Sequence, residues 1–289
     1  MTTFGIAEWF GQDFLSLDPT ARQRLARVAL GSDRSEPCPY RGGTCSKAGG
    51  VCSIREYDDD GTGRIDTATA GPMVITCPNR FEQDQMLVHW LAEITGLTEG
   101  VKMAREVPFM IARSGKPAGK IDLVVATDNQ ELRWFGLEVQ AVYFSGDAMA
   151  PEFRHLQTDE ETTPPYPQGR RHPDWRSSTA KRLMPQLQAK VPTLRRWASR
   201  IAVAVDPAPP VSTAMGGPST SPSHDVDSGD VIWLVSELRD GELRRRHWEV
   251  LTLEESCDRL LAAHPIGRVD FETHLRSMLR AIPTGTMHD

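Results

Sequence analysis

Two apolar, strand-like runs, each interrupted by one carboxylate, constrain this chain more than any other feature. Lys120-Ile121-Asp122-Leu123-Val124-Val125 carries Asp122, and Gly136-Leu137-Glu138-Val139-Gln140-Ala141 carries Glu138. With a preceding run from Glu106 to Ala112, the segments 106–112, 120–127 and 132–143 read as an antiparallel meander, punctuated by Ser-Gly-Lys-Pro and Asp128-Asn129-Gln130. A matching register sets Asp122 beside Glu138. Side chains alternate along a strand, so Gln140 shares the face of Glu138 while Val139 points away. Neighbouring carboxylates in an apolar sheet are costly unless a cation joins them, and oxygen donors of this kind select Mg²⁺, Mn²⁺ or Ca²⁺. The plainer alternative is two partly exposed strand acids, each paired with a nearby Lys or Arg.

Helical spacing surrounds this meander. Ile6, Phe10, Phe14, Leu25 and Val28 predict one or two helices over residues 1–30, ending at Gly31. Phe81, Leu87, Trp90, Leu91 and Ile94 predict an amphipathic helix from Asn79 to a stop at Gly96. Ser178 to Arg200 resumes the helical pattern, split or kinked by Pro185 and Pro192, and Ile201 to Val205 reads as a short buried strand. The Pro-, Ser- and Gly-rich stretch 207–229 reads as a surface loop. In the closing part, 230–289, Asp230 to Ser236 and Arg245 to Leu251 read as strands, and Leu253 to Ala263 and Asp270 to Ala281 as helices. The expected organisation is one main domain, with a core over 79–206 and a distinct region at 31–78. No apolar run is long enough to cross a bilayer, and Glu8 and Asp13 stand where a signal peptide carries positive charge, so the expected location is the cytoplasm.

Region 31–78 has little periodicity and few apolar side chains, so something other than a core must hold it. Cys38, Cys45, Cys52 and Cys77 fall within it, while Cys257 is isolated on a predicted helix and reads as an ordinary buried thiol. In a reducing compartment a four-thiolate metal site is the better account than disulfides, with Zn or Fe as occupant. Asp58-Asp59-Asp60-Gly61-Thr62-Gly63 opens like a calcium-binding loop, but the twelfth position is Thr69, which offers no bidentate carboxylate. It reads as an acidic turn.

Net charge is −6, so the global balance does not advertise a nucleic-acid partner. The distribution does. Between Gln168 and Arg200 there are nine basic residues against one acid, Asp174. Arg170, Arg171, Arg176, Lys181 and Arg182 cluster with Ser177 and Ser178 at a predicted loop-to-helix junction, a setting suited to phosphate. The arginines are candidates to read guanine and Asp174 to accept from cytosine N4. The competing reading is a solvated helix face balancing acids such as Asp159, Glu160 and Glu161.

Asp122 followed by Glu138-Val139-Gln140 resembles the PD-(D/E)xK nuclease motif, with Gln140 where most members carry Lys. The four cysteines, the phrase Cys77-Pro78-Asn79-Arg80-Phe81-Glu82, and Arg171-His172-Pro173-Asp174-Trp175-Arg176-Ser177-Ser178 before Lys181-Arg182-Leu183 are together similar to the NotI family of restriction endonucleases, over roughly residues 30 to 210. The resemblance implies an α/β fold: a mixed-sheet PD-(D/E)xK core flanked by helices, with an inserted four-cysteine metal subdomain whose occupant it favours as Fe. It implies Mg²⁺ bound by Asp122, Glu138 and the carbonyl of Val139, a water-positioning role for Gln140, and cleavage leaving 5′-phosphates. Glu82 is a further candidate carboxylate, or an acid favourable to a helix N-terminus. The implied partner is double-stranded DNA with a GC-rich palindrome, cut by a homodimer and protected by a cognate methyltransferase acting on the same site. The rivals are a non-catalytic DNA-binding module built on the cysteines, and a repair nuclease of the same fold without a fixed target.

Overall fold

A computed structural model describes residues 3–31, 36–129, 131–207, 222–261 and 266–280. In chain order the elements are β1 (Thr3–Trp9), β2 (Gln12–Asp13), α1 (Pro19–Leu30), β3 (Val51–Tyr57), β4 (Met73–Ile75), a 3-10 stretch (Pro78–Gln85) running into α2 (Met86–Thr95), β5 (Lys102–Ile111), β6 (Pro117–Asp128), β7 (Leu132–Gln140) and β8 (Tyr143–Gly146). They continue with α3 (Ala150–Leu156), β9 (Arg171–Asp174), α4 (Trp175–Ser178), a π turn (Thr179–Leu183), α5 (Met184–Arg196), β10 (Ile201–Val205), β11 (Val231–Arg239), β12 (Glu242–Leu251), α6 (Leu253–Leu261) and α7 (Arg268–Met278).

The main sheet has the strand order β12-β11-β10-β7-β6-β5. Strands β5, β6 and β7 form the meander, β10 runs parallel to both β7 and β11, and β12 returns antiparallel. Every residue of β10 is buried, as a parallel strand covered on both faces requires. One face carries Leu123, Val125, Leu137, Ala202 and Ala204 against the apolar side of α2. The other carries Ile201, Val203, Val205 and Trp233 against Leu187, Val191 and Leu194 of α5. Helix α2 stops where the sequence places Gly96, in the left-handed region, with Leu97 N–H closing onto the Ala92 carbonyl at 2.8 Å. Pro185 sits in the first turn of α5, where a missing N–H is harmless, and the helix continues through Pro192. The order α2, β5, β6, β7, α5, β10 thus lays a mixed sheet between helices. None of the described helices is long and apolar enough to cross a membrane.

Two expectations are corrected. Residues Thr3–Trp9 are a strand, not a helix: β1 pairs with β3, and Gly5 to Trp9 are buried without the alternation that marks a one-sided strand. Beyond a short 3-10 turn at Phe14–Ser16, the α-helix of this segment is Pro19–Leu30, capped by Asp18, whose carboxylate accepts from Ala21 N–H at 2.7 Å. The cysteine region is likewise no free-standing insert. Its β3 and β4 complete a second sheet, ordered β2-β1-β3-β4, whose core joins Trp9, Phe14, Ile54 and Phe153. The acidic turn is as expected: Asp59 Oδ1 accepts from the N–H groups of Gly61 and Gly63, and Asp60 Oδ1 from Thr62 N–H and Oγ1. Of the expected loop 207–229, residues 208–221 lie outside the described residues, and the rest ends in a main-chain bridge from Ser223 to Val250. Gln130, the ends of the two C-terminal helix expectations at 262–263 and 281, and the side chain of Arg176 also lie outside the described residues.

Candidate active site

Strands β6 and β7 separate at the two carboxylates. The last ladder pair is Leu123 with Leu137, and the next residues along are Asp122 and Glu138. Beyond that point the Val139 N–H is met by a side chain: Asp122 Oδ2 accepts its hydrogen bond at 3.0 Å. On the other side of Asp122, the pairs Arg105 with Leu123 and Val107 with Ile121 bracket Glu106, which takes a φ of 54°. That left-handed backbone in a non-glycine strand residue is a strain of about 1–3 kcal/mol, of the kind that accumulates at functional sites.

The sheet opens here into a cleft of about 390 Å³ whose lining includes Asp122, Val139, Gln140, Glu82, Glu106 and Arg182. Glu138 is 2 % exposed, and its pKa is pushed up to about 7 by burial and then by the charge of Asp122, against the opposing pull of Lys190. Asp122 is also raised, chiefly by burial and further by Glu106, while the Val139 N–H and Lys190 oppose the shift; its side chain contacts Glu138 directly. Two buried acids in side-chain contact, both raised by desolvation and Glu138 further by the charge of Asp122, are in the electrostatic situation that a bound cation relieves. The arrangement is not that of separately solvated acids.

Lys190 was not singled out by its sequence context, where it is one of nine basic residues between Gln168 and Arg200. It is 3 % exposed, and its Nζ donates to Glu138 Oε1 at 2.6 Å and to Gln186 Oε1 at 3.2 Å. Glu106 was missed for a different reason: nothing in the sequence reveals its positive φ. Gln140 lines the cleft with its amide nitrogen committed to the Ala141 carbonyl at 2.6 Å. Glu82 also lines the cleft but is neutralised by Arg105 at 2.7 Å and Arg41 at 3.7 Å.

The basic segment divides into two groups. Arg170, Lys181 and Arg182 are exposed. The Arg182 guanidinium lies 3.8 Å from the Tyr143 ring centroid and bonds the phenol oxygen at 2.8 Å, at the wall of the cleft. Arg171, by contrast, is 4 % exposed and pairs with Glu152. Ser178 is fully buried, donating to the Asp174 carbonyl and accepting from Tyr143 N–H, both at 2.8 Å. Asp174 caps α4 through the Ser177 N–H at 2.9 Å. Arg171 and Ser178 hold the loop in place, their polar atoms being used inside the fold, while Asp174 is half-buried at the start of α4.

Cys38, Cys45, Cys52 and Cys77 are all buried and reduced. They lie within one another's electrostatic reach, and burial raises the thiols of Cys52 and Cys77. The sulfurs of Cys45 and Cys52 lie 3.9 and 3.6 Å from the Lys47 and Gly50 carbonyls, and Asn79 Nδ2 is 3.8 Å from Cys38. Among the described residues no three Cys, His, Asp or Glu side chains close on a common point as metal ligands.

A mixed sheet that parts around paired carboxylates, above a cleft flanked by exposed arginines, defines a class of protein that handles an anionic substrate. The family model described as restriction endonuclease NotI matches residues 21–248, a span containing both acids, Lys190, the four cysteines and the basic segment. The match covers most of the chain, which belongs to the NotI restriction endonuclease family: it is a type II, site-specific deoxyribonuclease that binds double-stranded DNA. No curated relative and no solved structure matches it. Membership in an enzyme family removes the reading of the chain as a non-catalytic DNA-binding module.

Proposed function

We propose that this enzyme is Mg²⁺-dependent, that its sheet is a PD-(D/E)xK core, and that the cation is held by Asp122, Glu138 and the Val139 carbonyl. The observation that carries the reading is the parting of β6 and β7 at two buried carboxylates in side-chain contact, one of them kept on the cleft wall by the Val139 N–H. The donor set fits a hard divalent ion, since every available ligand is oxygen. When bound, the ion supplies Lewis acidity that eases deprotonation of the attacking water and offsets charge on the phosphate. The chain's own residues do the rest. Asp122 and Glu138 orient the site, Gln140 offers an amide oxygen to the water, and Arg170, Lys181 and Arg182 draw the phosphate backbone toward the cleft. Cleavage leaves 5′-phosphates at a GC-rich palindrome, the target that NotI-like sequence features imply, cut by a homodimer and shielded by a cognate methyltransferase.

The four buried thiols are proposed as a structural Fe or Zn site. Support comes from the chemistry of the donors, four reduced and electrostatically coupled cysteines beside the segment that leads into α2. Elemental analysis of purified protein identifies the occupant, and a protein free of both metals removes this part. The catalytic part is tested by digesting unmethylated GC-rich plasmid with and without Mg²⁺, with Asp122→Ala alongside. Discrete fragments sharing one palindrome and lost in the variant support the proposal, whereas full cleavage by Asp122→Ala overturns it.

A further inference from the structure

Gln140 stands where the motif most often carries a lysine, and its amide cannot supply a positive charge. Its nitrogen is moreover turned onto the Ala141 carbonyl. Yet the acid pair is not without a cation. Among the described residues Lys190 is the basic side chain in hydrogen-bond contact with it, and it reaches the pair from α5, which packs on the sheet face that Glu138 shares with Val203, rather than from β7. Arg182, Gln186 and Lys190 follow one another at four-residue intervals down this segment, from the cleft wall into the buried interior. Gln186 lines the cleft and fixes the ammonium from its other side.

A lysine that is 3 % exposed is costly to place unless its partner geometry is well made, and a buried ion pair is weak support for a fold, since an apolar pair of similar size serves as well. Its value here lies in what it does to Glu138. The ammonium takes Oε1, and the carboxylate meets Asp122 side chain to side chain. We propose that Lys190 is the positioning residue of this active site: it takes over, from helix α5, the work of the strand lysine that Gln140 has replaced, by fixing the Glu138 carboxylate in the orientation that would serve a bound cation. Lys190 lies beneath the cleft, so it acts through Glu138 and not on DNA. This rests on the reading of Asp122 and Glu138 as the cation-binding pair.

The test uses full-length protein and unmethylated plasmid DNA, with single-turnover cleavage measured across a Mg²⁺ titration for wild type, Lys190→Met, Lys190→Gln and Lys190→Arg. Lys190→Met is expected to raise the half-saturating Mg²⁺ concentration and to lower the rate at saturating Mg²⁺ by about 100-fold. Lys190→Arg, which restores a charged donor, is expected to recover much of both, while DNA retention in Ca²⁺ stays within about 3-fold. A residue needed only for folding would lower the melting temperature without moving the Mg²⁺ dependence of the folded protein. Should Lys190→Met not fold, Lys190→Gln, neutral and one bond shorter, is read in the same way. A folded neutral variant that matches wild type within about 3-fold in both rate and Mg²⁺ half-saturation overturns the proposal while leaving the nuclease reading intact. Wild-type protein that cuts no DNA with Mg²⁺ removes the nuclease reading and this inference with it.

Discussion

Asp122 Oδ2 accepts the main-chain N–H of Val139 at 3.0 Å, one strand across and two residues beyond the end of the β6–β7 ladder. The bond explains how two strands can part inside a sheet without orphaning a donor: a carboxylate replaces the carbonyl that a continued ladder would have offered. It also fixes where the carboxylate points.

Asp122→Asn keeps this bond, because the amide oxygen accepts as well as the carboxylate, but removes the charge that helps to raise the pKa of Glu138. The expected outcome is a protein whose melting temperature without divalent metal is higher than wild type and whose cleavage rate is lower by about 100-fold or more. Calorimetry beside single-turnover cleavage checks it. A variant both less stable and fully active would mean that the pair is structural.

Sequence alone exposed this pair because a charge inside an apolar alternation is a local signal. The same holds for α2, β10 and the β11–β12 pair, whose periodicity or continuous apolar character needs no distant partner to be read. The misreadings share one cause. Thr3–Trp9 becomes a strand only because β3, more than forty residues away, supplies its ladder, and burial on both faces erases the alternation that would have announced it. Arg171 and Lys190 look like members of one basic face, yet Glu152 and Glu138 draw them into the interior from other elements. Partners that are remote in sequence decide which charges a run shows to solvent.

The ring of His247 on β12 gives a pH dependence with a definite sign. Burial lowers its pKa below the ordinary 6.5, joined by Arg246, Arg259 and His224, with Glu249 opposing. Its folded pKa therefore lies below the unfolded one, so the unfolded chain binds more protons as pH falls past about 6.5. The stability it contributes is complete above that value and is lost as pH drops through the folded pKa. Melting temperatures from pH 8 to pH 5 should fall less steeply for His247→Gln than for wild type, and parallel curves would exclude the assignment.

Arg80 ties three parts of the molecule together. Its Nε meets both oxygens of Glu8 on β1 at 3.0 Å, one terminal nitrogen meets Gln83, and the other meets the Gly241 carbonyl between β11 and β12, each at 2.7 Å. Both members of the ion pair are buried. Arg80→Ala leaves Glu8 as an uncompensated buried charge, for an expected loss of about 3–5 kcal/mol in denaturant unfolding. Glu8→Gln/Arg80→Met, which removes both charges, should recover part of it; a double variant no better than Arg80→Ala would show that the contacts to Gln83 and Gly241 dominate.

The basic segment separates binding from folding within a few residues. Arg170, Lys181 and Arg182 are exposed, whereas Arg171 is buried against Glu152 and Phe4. A phosphate contact contributes to affinity through counterion release, so each of Arg170→Ala, Lys181→Ala and Arg182→Ala should weaken DNA retention and reduce the slope of log affinity against log salt by about 1, with melting temperature nearly unchanged. Arg171→Ala should do the reverse, lowering melting temperature because Glu152 loses its interior partner while the folded fraction keeps the wild-type salt slope. Arg182→Ala carries an additional expectation, since its guanidinium stacks on Tyr143 at the cleft wall: the cleavage rate of bound DNA should fall along with affinity. Salt-dependent gel retardation in Ca²⁺, paired with melting curves, reads all four. An Arg171→Ala protein of normal stability with a reduced salt slope would move that residue to the DNA-facing side and reverse the division drawn from its burial.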